Sequence, residues 1–119
     1  MAAPNIVAVT SIYGKTAVQI ITTDATAIVS NSAASGKVLK VNSIVVANVN
    51  GVSTTDVTVD LYRSSVAYRI AYLVAVPPKS TLIVIGKDTP IYLEEGDSIR
   101  ITGSANTESE AIASYEEIS

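Results

Sequence analysis

The densest group of potentially reactive side chains is Glu94, Glu95 and Asp97, three carboxylates inside the stretch PIYLEEGDSIRI. Oxygen ligands of this kind suit a hard cation such as calcium, and paired acids can share proton transfer across a cleft. The spacing does not fit a helix–loop–helix calcium site, whose loop alternates acidic or amide ligands before a glycine and closes on a later glutamate. A turn accounts for each residue type. Ile91 and Leu93 alternate on one side of the group, and Ile99 and Ile101 alternate on the other. Gly96 tolerates a positive φ, and the Asp97 side chain can accept a backbone N–H. Gly96 and Asp97 are therefore expected to determine a strand reversal, with the carboxylates solvated and no metal held.

Other chemistry has little to stand on. The sequence contains no histidine and no cysteine. That removes the usual base near neutral pH, the thiolate nucleophile, disulfides and the commonest ligands of zinc and iron–sulfur clusters. Lysines 15, 37, 40, 79 and 87 leave a serine–lysine pair formally open, but no spacing selects one. Tyr13-Gly14-Lys15-Thr16 matches only the tail of a phosphate-binding loop: Val9 stands where the earlier glycine belongs, and no helical pattern follows. A net charge of −3, with no cluster of Lys and Arg, argues against a nucleic-acid surface. No catalytic residue, cofactor or metal site is expected.

The elements that must position these groups read as strands. Hydrophobic residues make up 48% of the 119, yet aromatics only 5%, all tyrosine, so the core must be built from Val, Ile, Leu and Ala. Branched aliphatics favour a pleated, half-buried sheet. DVTVDLYR alternates with period two, placing Val57, Val59 and Leu61 on one face. In VAYRIAYLVAV, Tyr68 and Tyr72 fall on a common face with Ile70 and Val74, which marks them as packing or subunit-contact residues. Ser64-Ser65 between these strands is short enough for a tight hairpin. KVLKVNSIVVANV changes phase near Asn42-Ser43, which predicts a bulge. Further strands are expected at NIVAVT, TAVQIIT, TAIVS, TLIVIG, SIRITG and AIASYEEI, with turns at Tyr13-Gly14, residues 31–36, Asn50-Gly51, Pro77-Pro78, residues 86–90, Gly96-Asp97 and residues 103–109. Short strands at this spacing predict an all-β, antiparallel β-sandwich of about eight to ten strands in one domain spanning residues 1–119. Met1 to Pro4 are read as a possible arm onto a neighbouring subunit. No run reaches the ~18 apolar residues of a membrane-spanning helix, and the start lacks the basic region of a secretory signal.

Two resemblances sharpen these expectations. The pattern Leu93-x-x-Gly96-Asp97-x-Ile99-x-Ile101 resembles the strand–turn–strand near the end of jelly-roll domains, including the trimeric tumour-necrosis-factor and complement-C1q-like families. The segments MAAPNIVAVTSIYGKTAV, KVNSIVVANVNGVSTTDVTVDLY, LIVIGKDTPIYLEEGDSIRI and SYEEIS resemble small virion structural proteins of tailed bacteriophages of the marine cyanophage type. That resemblance implies a jelly-roll-like, non-enzymatic capsid decoration protein, located in the virion. It implies a homo-oligomer, a trimer by jelly-roll precedent, bound to virion proteins such as the major capsid protein. The interface candidates are Tyr68, Tyr72, Met1 and Pro4. Neither nucleic acid nor membrane is expected as a partner. The alternative is a tail, neck or baseplate subunit, with receptor or carbohydrate binding as a further possibility.

Overall fold

The computed structural model describes residues 4–119 and contains nine strands in the described region. They are β1 (Ile12–Ile20), β2 (Thr26–Ser30), β3 (Val38–Asn48), β4 (Thr55–Arg63), β5 (Val66–Val76), β6 (Thr81–Ile85), β7 (Ile91–Leu93), β8 (Ser98–Gly103) and β9 (Ser109–Ile118). One sheet runs β1-β9-β3-β6, with β7 also on β3, and the other runs β2-β8-β4-β5. Both β6 and β7 pair with β3, so they act as one strand interrupted by the turn at residues 86–90. Counted that way, the first strand pairs the last, the second the next to last, and so on inward to the β4–β5 hairpin. Every pairing is antiparallel. This is a long hairpin rolled across two facing sheets, the arrangement of eight strands in two Greek keys. The fold is a jelly roll.

The alternation read from the sequence is the alternation that fills the core. Leu39, Val41, Ile44 and Val46 of β3, Val57 and Val59 of β4, and Ile99 and Ile101 of β8 are all buried between the sheets. The phase change in β3 is the expected bulge, a register shift between Val41 and Ser43 opposite β9. Without it Ile44 and Val46 would face outward. Ser64 and Ser65 both adopt positive φ, 51° and 62°, which gives the β4–β5 hairpin the twist of a primed turn without its preferred glycine. Gly103 sits where a Cβ would lie 2.7 Å from Ile21 Cγ2, so the absence of a side chain there lets the end of β8 close onto Ile21.

Two local expectations fail. NIVAVT is not a strand: Asn5 Oδ1 accepts the Val7 N–H at 2.9 Å and the Asn5 carbonyl accepts the Ala8 N–H, making a turn. Val7 is 90% exposed, so the apolar alternation there meets no opposing layer. Tyr13-Gly14 does not break the chain but lies within β1, paired residue for residue with Glu117 and Glu116. An extended glycine costs little where nine consecutive pairs hold the strand straight. Of the expected arm, Met1 lies outside the described residues, and Pro4, partly buried, leads directly into the Asn5 turn.

Tyr68 and Tyr72 also fail to share a face. Two register shifts in the β4–β5 ladder insert extra residues into β5, one between Ala71 and Val74 and one between Arg69 and Ala71. Tyr68 stands opposite Leu61 on the core-facing side of the sheet, whereas Arg69 stands opposite Asp60 on the outer side and stacks over Tyr72. Each bulge resets the period-two count, which a pattern counted along one strand does not register.

Candidate interaction surface

The acidic turn is built as structure. Asn31 grips it through the backbone, donating its N–H to the Asp97 carbonyl and accepting the Gly96 N–H, each at 2.8 Å. The Asn31 side-chain amide reaches the carbonyls of Lys37 and Leu93. Gly96 has φ of +89°. Glu95 accepts the Gly36 N–H at 2.7 Å, tying this turn to the one before β3. Asp97 departs from the solvated role expected of it. Its side chain is 3% exposed, and both oxygens are held by the Arg63 guanidinium while Oδ2 also accepts the Glu94 N–H. The Arg63 hydrogen bond, helped by the Glu94 amide, holds the Asp97 carboxyl below the usual carboxylate range against the opposing effect of burial. Arg63 is correspondingly raised, by Asp97 first. Glu94, bonded to the same guanidinium at 2.8 Å, is the one carboxylate of the three that stays largely in water. An open depression borders Arg63, Ser64 and residues 94–97, but Arg63, Glu94 and Asp97 are already paired to each other and Glu95 is held by the Gly36 N–H. Among the described residues no group of three acids converges as cation ligands.

The more suggestive region is the outer face of the β2-β8-β4-β5 sheet. Asp60 points away from the core yet is 3% exposed. Arg100 on β8 covers it, with Nε and Nη2 donating to its two oxygens at 3.0 and 3.4 Å. The same guanidinium lies 3.9 Å from the centre of the Tyr62 ring. One strand over, Arg69 is the cross-strand neighbour of Asp60 and lies 5.3 Å from the Tyr72 ring centre. Two arginine–tyrosine stacks thus flank one buried carboxylate. Beside them, Leu73 is 56% exposed with φ of +47°, and its N–H is taken by the Thr58 hydroxyl at 3.1 Å in place of a ladder partner. A leucine in the left-handed region is costly, and such strain gathers where backbone shape serves contact.

Of the residues singled out from the sequence, the structure leaves Tyr68 and Tyr72 exposed at 56% and 62% but on opposite faces of β5. Gly96 and Asp97 sit together in the turn, far along the chain from Pro4. Arg69, Leu73 and the Asp60–Arg100–Tyr62 group were not anticipated. Their one legible signal is the Asp60-x-Tyr62 and Arg100 placement on outward positions of strands, where charge normally faces water.

Neither a protein-family model nor a curated protein matches the chain. Among solved structures, it is similar to a chain from "The Triple Jelly Roll Fold and Turret Assembly in an Archaeal Virus". The two superpose with a TM-score of 0.52 at 15% sequence identity, over 94% of this chain but 30% of that one. At that identity the likeness speaks for the fold. The present chain spans under a third of its neighbour's length.

Proposed function

We propose that this protein is a non-enzymatic virion structural subunit that decorates the capsid and binds the major capsid protein through the outer face of the β2-β8-β4-β5 sheet. The observation that carries the reading is the jelly-roll topology, matched over 94% of the chain in an archaeal virus protein. The absence of histidine and cysteine from the sequence fits a passive building block. The contact residues are Tyr72, Leu73, Arg69 and Tyr62. Tyrosine and arginine are the types that dominate binding energy at protein contacts, since each brings large area at modest entropic cost. Asp60 and Arg100 lock the platform, so little freedom is lost when a partner covers it.

Cryo-electron microscopy of intact particles tests the assignment. Density for this chain should repeat over the capsid surface, and the double variant Arg69→Ala with Tyr72→Ala should be lost from purified particles while remaining folded. Density confined to the tail, neck or baseplate would replace the decoration reading with the tail alternative. Absence from virions would remove both.

A further inference from the structure

We propose that two copies of this chain join through the outer edge of β1, pairing antiparallel about a two-fold axis at Thr16 to make one continuous sheet. The inference does not rest on the virion reading, because the edge and its pairing properties are the same in any setting.

Edges of sheets are normally blunted by bulges, short length or charge, because their unpaired N–H and C=O groups invite another strand. Three of the four edges here are blunted in that way. β5 carries two bulges, β2 is five residues long with a register shift, and β6 and β7 are five and three residues long and separated by a turn. β1 differs. It is nine residues long, pairs with β9 without a shift, contains no proline, and has no strand on its other side among the described residues. Its one charge, Lys15, is occupied by Glu117 at 3.1 Å. Ile12, Val18 and Ile20 are 55%, 75% and 55% exposed. A shallow depression bounded by Val18, Ile20 and Ile112 adjoins the same edge.

The hydrogen-bond phase determines which groups are available. Ser11 and Ser119 exchange both backbone bonds, so the odd-numbered residues of β1 turn their backbone groups to β9. Ile12, Gly14, Thr16, Val18 and Ile20 therefore present their N–H and C=O groups outward. A second β1 centred on Thr16 uses all of them, pairing Ile12 with Ile20, Gly14 with Val18, and Thr16 with itself. On that face apolar meets apolar, and the two threonine hydroxyls can bond each other. On the other face Lys15 lies opposite Ala17, and Tyr13 lies opposite Gln19. That last pair is informative, because Gln19 Oε1 is buried without a hydrogen-bond partner among the described residues, and Tyr13 is 58% exposed. With the Gln19 side chain turned toward the edge, the partner's Tyr13 hydroxyl would supply the donor this oxygen lacks. Shifting the axis to Lys15 sets like charges opposite each other, and shifting it further shortens the overlap. The outer-face row Val18, Ile112, Val45 and Ile83 crosses the whole sheet and ends at this edge, where Val18 would meet the partner's Gly14.

Sedimentation of the purified chain over about 1–100 μM should show a dimer. Thr16→Pro removes an outward N–H that β9 does not use, so the fold should survive while the dimer dissociation constant rises at least about tenfold. Val18→Lys should act in the same direction by placing a charge on the edge. Because the chain has no cysteine, Thr16→Cys gives a clean reporter: it should form a disulfide-linked dimer under mild oxidation, and Val52→Cys, on an exposed loop, should not. A monomer across that range, a trimer, a dimer unaffected by both folded edge variants, or equal cross-linking of the two cysteine variants would each overturn the proposal.

Discussion

Asp97 shows how far a single environment can move a residue from what its type suggests. As part of an acidic run it looks solvated, but Arg63 and the Glu94 amide enclose it. Asp97→Asn removes the charge that the guanidinium needs and should lower stability by about 2 kcal/mol, less than for a fully buried pair because Arg63 is 42% exposed. The pH dependence has a definite sign. A carboxyl held below its ordinary value contributes its full stability above the unfolded pKa of about 4 and loses it as pH falls through the lower folded value. Melting temperature should therefore fall below pH ~4 in the native chain, and that limb should flatten in Asp97→Asn. Glu94→Gln should change little, since that side chain is mostly in water. Gly96→Val tests the other half of the turn. A Cβ at Gly96 would meet no atom within 4 Å, so the expected loss of about 2 kcal/mol or more comes entirely from φ of +89° and not from a clash. Denaturant unfolding that matched the native chain would remove that argument.

Among the elements, the β4–β5 hairpin carries the most avoidable strain. Ser64 and Ser65 occupy left-handed conformations that asparagine and glycine adopt more easily. Replacing the pair by Asn-Gly should stabilise the fold by about 1 kcal/mol, read as a higher denaturation midpoint at unchanged slope. The same hairpin then holds β5 with its two bulges, which turn Arg69, Tyr72 and Leu73 to the outer face. These bulges serve two ends. They deny the β5 edge to a further strand and aim the side chains expected to meet the capsid. β1 has no such device, and that contrast between two edges of one molecule is the basis for assigning one to a heterologous partner and the other to a second copy.

For the whole molecule the consequence is a choice of symmetry. The jelly-roll families that the turn sequence resembles imply a trimer, whereas an antiparallel β1 pair is isologous and closes at two. Sedimentation of the free chain separates the two, and particle density shows whether the same contact persists on the virion. A decoration subunit joined in pairs would bridge neighbouring capsid sites through its β5 faces. In that arrangement the edge variants at Thr16 and Val18 should weaken retention on particles less completely than loss of Arg69 and Tyr72. Binding at two sites adds avidity, while loss of the face removes the contact itself.

Period-two alternation of Val, Ile and Leu, the scarcity of aromatics and the spacing of turns were enough to read an all-β sandwich, the β3 bulge and the reversal at Gly96-Asp97. Those features depend on local geometry, since a strand that buries one face must alternate and a turn with positive φ calls for glycine. The tertiary structure alone decided the rest. Whether NIVAVT pairs depends on an opposing layer that its own residues do not supply, and Asn5 claims the Val7 N–H first. The face on which Tyr68 and Tyr72 lie depends on bulges visible only against β4. Arg63 and Asp97 are 34 residues apart in the chain, and Asp60 and Arg100 are 40 apart, so both pairs exist only once the hairpin has rolled. The acids of PIYLEEGDSIRI named a turn through their glycine; what Glu94 and Asp97 bind was written in an arginine on the neighbouring strand.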